Sequence, residues 1–278
     1  MPDIVVIIPS LNVAETLPRQ LAALDAQTDL GFRVVIADNG SEDGTARVAR
    51  EWPARFEGIE VVDASARRGV ASARNIGIRE SSEPLILICD GDDRVHERWV
   101  ESMRRSLASA AAVTGPLRIV RDGELGETVN QTSVPVAMAF RPYMPGCNIG
   151  VRREAVDLVG GFDADLSIGQ EDVDFGWRLD AVGIEIVHDP GACVDYYQRS
   201  TPVQRIRQQY RYGRAYAMLY RKHQDVAPPP ARLRTSIRWF WEWCRQFRPR
   251  DGLVAFGDPA FHIGRLVQSA RLKTPTPL

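Results

Sequence analysis

Four short apolar segments, each ending in polar residues, constrain the fold of this chain more than any other feature. They are IVVIIPS (4–10), FRVVIAD (32–38), IEVVDA (59–64) and PLILICD (84–90). Their length and their β-branched residues predict strands, and the helical patterns between them predict βαβ units and a parallel sheet. Because ligands bind beyond the carboxyl ends of the strands in such sheets, we expect the polar strand ends to line one cleft.

The same alternation continues to about residue 200. An Asp122-Gly123 turn and a proline-containing loop over 128–145 interrupt it. The predicted helices cover 15–26, 44–52, 70–80, 97–109, 152–159 and 171–181, and further strands are predicted near 112–120 and 184–189.

Length and composition fit one large domain with an extension. The chain has 278 residues, of which 44% are hydrophobic, so it can bury a substantial core. Its apolar stretches are too short to cross a bilayer, and the N-terminus lacks the layout of a signal peptide. Its four cysteines form no CxxC pair, which favours reduced thiols and predicts a cytoplasmic protein.

Charge divides the chain into an acidic body and a basic tail. Residues 199–278 contain 16 lysines and arginines against 4 acidic residues, whereas residues 1–198 contain 19 against 32. We therefore predict a first domain over 1–200 and a helical extension over 201–278. A basic tail can face anionic lipid, nucleic acid or the acidic body itself.

Two helices are predicted in the tail, over 202–222 and 232–248, with the stiff segment PPP (228–230) between them. The second combines an apolar stripe with three tryptophans and several arginines, which suits a membrane interface. Packing on the body or on a second subunit, as in a homodimer, explains the stripe equally well. Peripheral contact with an anionic membrane on the cytoplasmic face therefore stands beside dimerisation as an expectation.

The acidic turn Asp90-Gly91-Asp92-Asp93 follows the fourth predicted strand. Crowded carboxylates repel one another, and their usual compensation is an arginine, a lysine or a divalent cation. Mg²⁺ uses one or two protein carboxylates and fills its other positions with water and substrate phosphates. The alternative is that Asp92 or Asp93 caps the following helix.

Asp38 stands at the end of the second predicted strand, before the turn NGSEDGT. Its carboxylate could accept a hydrogen bond from a base imide or a ribose hydroxyl, or serve only the turn. Arg74, on the helix that begins near Val70, is a cation facing the same cleft. Its alternative role is a surface salt bridge of little energy.

Glu171 and Asp172 begin a predicted helix, where the positive end of the helix dipole stabilises a carboxylate. An ionised carboxylate in a cleft is a candidate general base. Acidic residues are also common stabilisers of helix starts, which is the alternative.

Together and in this order, VVIIPSLN, VIADNGSEDGT, GVASARNIG, LICDGDD and GGFDADLSIGQEDVDFGWRL resemble the inverting family 2 glycosyltransferases, including rhamnosyltransferase-like members. The resemblance spans about residues 4–200. It implies a GT-A fold, which is an α/β, Rossmann-like, mostly parallel sheet flanked by helices; the basic helical extension follows it.

The resemblance also implies roles for individual residues. Asp172 is the implied base, with Glu171 beside it in the same catalytic element. Asp90 and Asp92 are the implied ligands of Mg²⁺ or Mn²⁺. The implied contacts of the donor nucleotide are Pro9, Ser10, Leu11, Glu15, Asp38, Arg74, Asp90 and Gly91.

Two positions depart from the family pattern. Leu11 stands where relatives often have a tyrosine that stacks on the base, so this contact is weaker or differently made. Many relatives have a histidine after the last core strand, but this chain reads ACVDYYQR (192–199) and offers Asp195, Tyr196 and Tyr197. The third metal ligand therefore stays open, and His188 is not assigned to it.

Asn148 and Trp177 are the predicted contacts of the sugar or the acceptor. Asn148 belongs to a GxN segment that lies beside the sugar in relatives, and its alternative is a role in a turn. Trp177 could stack on a sugar face, and its alternative is a place in the core.

The sequence thus predicts a metal-dependent, inverting glycosyltransferase. It would move a sugar from a nucleotide-diphosphate sugar to a saccharide, lipid-linked or small-molecule acceptor, such as a bacterial cell-envelope glycan. A catalytically silent nucleotide-sugar binder is one alternative. A nucleotidyltransferase is another, although the glycine-rich, basic phosphate loop of that class is missing from the N-terminal segment. Nucleic-acid binding is disfavoured because the tail contains no recognised module.

Overall fold

The computed structural model describes residues 2–198, 201–228 and 257–274. They group into two compact units. The predicted helix over 232–248 lies outside the described residues. The first unit comprises the described residues of Met1–Ala137, Arg141–Ser167 and Glu171–Tyr197, and the second those of Met138–Phe140, Ile168–Gln170 and Gln198–Leu278.

Strands and helices alternate through the first unit. The strands are β1 (Ile4–Ser10), β2 (Phe32–Asp38), β3 (Ile59–Asp63), β4 (Leu85–Ile88), β5 (Arg94–Val95), β6 (Ala112–Thr114), β7 (Leu117–Arg121), β8 (Glu124–Val129), β9 (Val136–Ala137), β10 (Arg141–Pro142), β11 (Ile149–Arg152), β12 (Ile186–His188) and β13 (Val194–Tyr197). The helices of this unit are α1 (Leu17–Asp25), α2 (Thr45–Arg50), α3 (Val70–Arg79), α4 (Trp99–Leu107), α5 (Arg153–Val159) and α6 (Glu171–Ala181).

A seven-stranded sheet forms the centre of this unit, in the order β12-β6-β11-β4-β1-β2-β3. Its neighbouring strands pair in parallel except at β11, which is antiparallel to β4 and β6. The predicted α/β class with a mostly parallel sheet is therefore confirmed.

Two apolar clusters cover the two faces of the sheet. Ile4, Val6 and Ile8 of β1 pack with residues of α1 and α4, whereas Val5 and Ile7 pack with residues of α3, α5 and α6. Successive strand side chains point to opposite faces, so a strand covered by helices on both sides must be apolar throughout. This explains the uninterrupted apolar runs in the sequence.

The predicted strand near 112–120 is wrong in one respect, because it is two strands in different sheets. The predicted strand is interrupted at Gly115, where a Cβ atom would lie 2.2 Å from the Ala192 carbonyl oxygen. β6 joins the central sheet, while β7 joins a second sheet in the order β5-β13-β7-β8. The predicted loop over 128–145 contains the end of β8 and the two-residue strands β9 and β10.

The second unit contains α7 (Pro202–His223) and α8 (Gly257–Leu272). Thr201 and Gln204 form a capping box at the start of α7, which confirms the predicted helix there. The two helices approach closely at Gly213, which has no side chain. A Cβ atom at this position would lie 1.8 Å from the Phe261 carbonyl oxygen. None of the described helices is both long enough and apolar enough to cross a membrane.

Candidate active site

The polar ends of the central strands lie at one edge of the sheet, as predicted. In the strand register Ser10 stands opposite Asp38, and Asp38 stands opposite Asp63. β4 pairs with β1 up to Ile88, two residues before Asp90. All candidate residues discussed below belong to the first unit.

Asp90, Asp92 and Asp93 form an acidic cluster whose carboxylate oxygens lie within 4.8 Å of one another. The alternative that Asp92 or Asp93 caps the next helix is wrong, because α4 begins at Trp99 and its N-cap residue is Arg98. Gly91 in this turn is buried, and a Cβ atom there would lie 3.2 Å from a Val13 side-chain carbon. Its contact with the nucleotide stays a prediction.

Asp93 is the buried member of this cluster, and helix capping was the role predicted for it as an alternative. It is 1% exposed; its Oδ1 accepts a hydrogen bond from the Tyr197 backbone N–H at 2.9 Å, and its Oδ2 is buried without a hydrogen-bond partner. Burial, with repulsion from Asp92 and Asp90, raises the pKa of Asp93 well above its usual range. Three neighbouring carboxylates with an unsatisfied buried oxygen fit a divalent cation that prefers oxygen ligands.

Arg19 contacts the acidic turn from α1, and no sequence signal indicated it. Its Nη2 donates a hydrogen bond to the Asp92 carbonyl oxygen, and its guanidinium carbon lies 3.6 Å from the centre of the Tyr197 ring. This cation–π contact connects the turn to β13, in addition to the hydrogen bond between Asp93 and Tyr197.

Arg74 is buried among carboxylates and is only 2% exposed. Nη1 donates to Glu171 Oε1 at 2.7 Å, and Nη2 donates to the Gly146 carbonyl oxygen at 3.0 Å and to Asp90 Oδ1 at 3.4 Å. Burial opposes its charge, but the nearby carboxylates outweigh burial and raise the pKa of Arg74. Its alternative as a surface salt bridge is wrong, because the pair with Glu171 is buried. Its contact with the nucleotide stays a prediction.

Glu171 and Asp172 begin α6 side by side but differ in exposure. Glu171 is 5% exposed, and burial together with repulsion from Asp172 raises its pKa to about 7, against the effect of Arg74. Asp172 is partly exposed; its Oδ2 accepts from the Gly146 N–H at 2.8 Å and its Oδ1 from the Val173 N–H at 2.9 Å. Of the two, Asp172 is the carboxylate that a substrate can reach.

Asn148 and Trp177 both lie in the core. Asn148 is fully buried; its Oδ1 accepts from Trp99 Nε1 at 2.8 Å and its Nδ2 donates to the Ala192 carbonyl oxygen at 2.8 Å. Trp177 is 1% exposed and its Nε1 donates to the Arg141 carbonyl oxygen at 3.2 Å. The burial of Trp177 favours its alternative as a core residue, and the Asn148 side chain connects distant segments. Their contact with a sugar stays a prediction.

The remaining nucleotide candidates lie along the ends of β1 and β2. Asp38 is partly exposed and accepts a hydrogen bond from the Ser41 N–H at 3.0 Å, while Leu11 and Glu15 are exposed. Pro9 is partly buried. Ser10 is buried and its hydroxyl donates to the Ile8 carbonyl oxygen, so its side chain does not face the cleft.

Asp195, one of the alternatives for a third metal ligand, belongs to a separate ion-pair group. It is 1% exposed, with Oδ1 lying 2.8 Å from His96 Nε2 and 2.6 Å from Arg118 Nε. The Nε2 of His188 lies 2.8 Å from the Asn130 carbonyl oxygen. Neither residue belongs to the acidic cluster of Asp90, Asp92 and Asp93.

Comparison with known proteins gives a consistent result. The family model described as Glycosyl transferase family 2 matches residues 5–167. The glycosyltransferase AglE of Haloferax volcanii is 28% identical over 204 residues, which cover 69% of this chain and 67% of that protein. The pre-mycofactocin glycosyltransferase of Mycobacterium tuberculosis is 29% identical over 241 residues, covering 82% of this chain but only 49% of the relative.

Among solved structures, mannosyltransferase PcManGT from Pyrobaculum calidifontis, in complex with GDP-Man and Mn²⁺, is similar in fold. The TM-score is 0.65 at 20% sequence identity, and the match covers 97% of this chain and 75% of the other. The α/β fold of this chain is thus the GT-A fold.

The buried state of Glu171 generates a pH prediction for Glu171→Gln. Because the folded-state pKa of about 7 lies above the ordinary 4.5, the wild-type protein loses stability from this group as pH rises from about 5 to 7. The neutral glutamine has no such dependence. We therefore compare the free energies of unfolding of the two proteins at each pH. The value for the variant minus the value for the wild type should increase by about 2 kcal/mol between pH 5 and pH 8.

Chemical denaturation of both proteins at the two pH values measures this difference. Asp90 and Asp93 are common to both proteins, so their titration cancels to first order in the comparison. A difference that stays constant across the range, or grows in favour of the wild type, contradicts the prediction.

Proposed function

Because the chain belongs to glycosyl transferase family 2 and is a glycosyltransferase, we propose that it is a metal-dependent, inverting enzyme acting on a nucleotide-diphosphate sugar. The observation that supports this most strongly is a hydrogen-bond network that connects the acidic cluster to Asp172. Arg74 Nη2 donates to Asp90 Oδ1 and to the Gly146 carbonyl oxygen, and the Gly146 N–H donates to Asp172 Oδ2.

Asp172 is the proposed general base. An acceptor hydroxyl is a poor nucleophile until a carboxylate takes its proton during the attack on the anomeric carbon. Two backbone N–H groups fix the Asp172 carboxylate while it remains partly exposed. A single displacement from the face opposite the departing diphosphate inverts the anomeric configuration.

Asp90, Asp92 and the buried Asp93 are the proposed ligands of Mg²⁺ or Mn²⁺. When bound, such an ion stabilises the negative charge that develops on the departing nucleoside diphosphate. The Mn²⁺ in the PcManGT complex supports this proposal for a protein of the same fold. The nucleoside is proposed to bind along the ends of β1 and β2, near Leu11, Glu15 and Asp38.

The proposed acceptor is a saccharide, a lipid-linked glycan or a small molecule with a free hydroxyl, with a bacterial cell-envelope glycan as one example. The chain spans about half the length of one curated relative that it matches.

Hydrolysis of the donor is the first assay of activity, because water replaces the acceptor and the acceptor need not be known.

The second unit supports a further proposal, peripheral binding to an anionic membrane. α7 contains several arginines and no acidic residue, and α8 exposes Ile263 (53%) and Leu266 (45%) one turn apart. Basic and exposed apolar side chains together suit the headgroup region of an anionic leaflet. Dimerisation through these helices is the alternative.

Asp172→Asn tests the proposed base. We expect hydrolysis of the best donor among UDP-, GDP- and dTDP-sugars to fall by about 10³-fold, because the variant cannot accept the proton. Its affinity for the nucleotide should stay within about threefold of the wild type. Asp157→Asn, an exposed aspartate on α5, is the matched control and should change neither quantity. A wild-type chain that binds nucleotide but hydrolyses no donor would instead be the silent binder.

Asp92→Asn tests the metal role. Calorimetric titration with UDP, GDP and dTDP should give tighter binding with Mn²⁺ than with EDTA in the wild type, because a cation held by Asp90, Asp92 and Asp93 would attract the negatively charged diphosphate. The variant should lose most of this difference. Equal wild-type affinity in Mn²⁺ and EDTA would remove the metal from the proposal.

Flotation with lipid vesicles tests the membrane proposal. We expect the full chain to float with phosphatidylserine vesicles but not with phosphatidylcholine alone, and to be released by salt. Replacing the exposed Arg207 and Arg211 by glutamine should weaken flotation, whereas Arg79→Gln in the first unit should not. Failure to float at low salt, with a dimer seen by light scattering, would favour the alternative.

A further inference from the structure

We infer that Arg74 is a positioning residue, which holds the carboxylate of Asp172 at a fixed distance from the acidic turn. Glu171 in turn fixes the Arg74 guanidinium through their ion pair. The inference rests on the proposed function and deepens it. It separates the two acids at the start of α6 into a base and a residue that acts through Arg74.

One guanidinium, that of Arg74, joins three segments of the chain. Arg74 on α3 contacts Asp90 in the turn after β4, Glu171 on α6 and Gly146 in the segment before β11. Their sequence separations from Arg74 are 16, 97 and 72 residues. Because one rigid guanidinium bonds to all three segments, their relative position is coupled to the position of Arg74.

The ion pair between Arg74 and Glu171 is buried. Arg74 and Glu171 are 2% and 5% exposed and their ion-paired atoms lie 2.7 Å apart. Removing one partner of a buried pair leaves an uncompensated charge, which strongly destabilises a protein, whereas removing both is far less costly. Arg74 therefore cannot turn towards a ligand without breaking this pair, which disfavours direct nucleotide binding.

Gly146 connects Arg74 to the proposed base Asp172. The carbonyl oxygen of Gly146 accepts from Arg74 Nη2, and the N–H of the same residue donates to Asp172 Oδ2 at 2.8 Å. A Cβ atom at position 146 would lie 2.4 Å from Arg74 Nη2, so only glycine allows this contact. A shift of Arg74 would move Gly146 and, with it, the hydrogen bond that orients Asp172.

The chemistry of the guanidinium fits this role. Its planar fork donates from Nη1 towards Glu171 and from Nη2 towards Gly146 and Asp90 at fixed angles. A lysine supplies one point of charge and cannot hold this geometry. Because a misplacement of about 1 Å in a reacting group costs roughly 10²-fold in rate, the expected effect of losing Arg74 is on turnover.

The test compares Arg74→Gln, Glu171→Gln and the double variant with the wild-type chain. We expect each single variant to lower Tm and the double variant to regain most of that loss, because the buried pair is then neutral. Donor hydrolysis by the double variant should nevertheless stay about 10²-fold below the wild type. Nucleotide affinity, measured with UDP and GDP in Mn²⁺, should remain within about threefold. Arg79→Gln, at an exposed position of the same helix, is the matched control.

Gly146→Ala is an independent variant that displaces the guanidinium and leaves its charge. It should reduce donor hydrolysis by a similar factor of about 10²-fold, with nucleotide affinity unchanged. This variant therefore distinguishes the effect of the position of Arg74 on donor hydrolysis from the effect of its charge.

Two results would overturn the inference. Recovery of hydrolysis together with Tm in the double variant would make the pair an ordinary structural ion pair. A tenfold or greater loss of nucleotide affinity in Arg74→Gln with unchanged turnover would assign Arg74 to the nucleotide. The proposed function is judged on the wild-type chain alone, whereas the role of Arg74 is judged on ratios of variant to wild type, so the two fail separately.

Discussion

The candidate active site depends on one buried cation among carboxylates. Asp90, Glu171 and Asp172 all contribute to the electrostatic environment of Arg74, whose charge would be costly to bury without them. The reverse also holds, because burial and mutual repulsion raise the pKa of Asp90 and Glu171 while Arg74 opposes this shift. The acidic turn and the start of α6 can therefore lie close together only because Arg74 lies between them.

The sheet provides the geometry that this interaction requires. Parallel strands end at one edge, and the helices on one face of the sheet include α3 and α6, which contribute Arg74 and Glu171 respectively. The antiparallel strand β11 pairs with β4 and is preceded by Gly146, so the backbone segment that contacts both Arg74 and Asp172 is anchored beside the acidic turn. Residues distant in sequence thus form one network within a single compact unit.

Burial separates the roles of residues that are neighbours in sequence. Glu171 is closed off and paired, whereas Asp172 is partly exposed and oriented by backbone N–H groups. Similarly, Asp93 is buried against β13 while Asp92 is partly exposed. Adjacent carboxylates of the same chemical type can therefore perform distinct tasks, as the electrostatic environment of each one differs.

The sequence by itself determined the alternation of strands and helices, the shared edge of the strand ends and the acidic turn, because periodicity and local turn chemistry are properties of neighbouring residues. The strands β5, β8, β9, β10, β11 and β13 were missed, since short or polar strands have little periodicity of their own. Only the tertiary structure decided that Arg74 is an internal cation, that Asp93 is the buried member of the acidic turn and that Arg19 contacts this turn. It also placed Asn148 and Trp177 in the core. Burial and ion pairing depend on contacts between distant segments, and no pattern along the chain specifies those contacts.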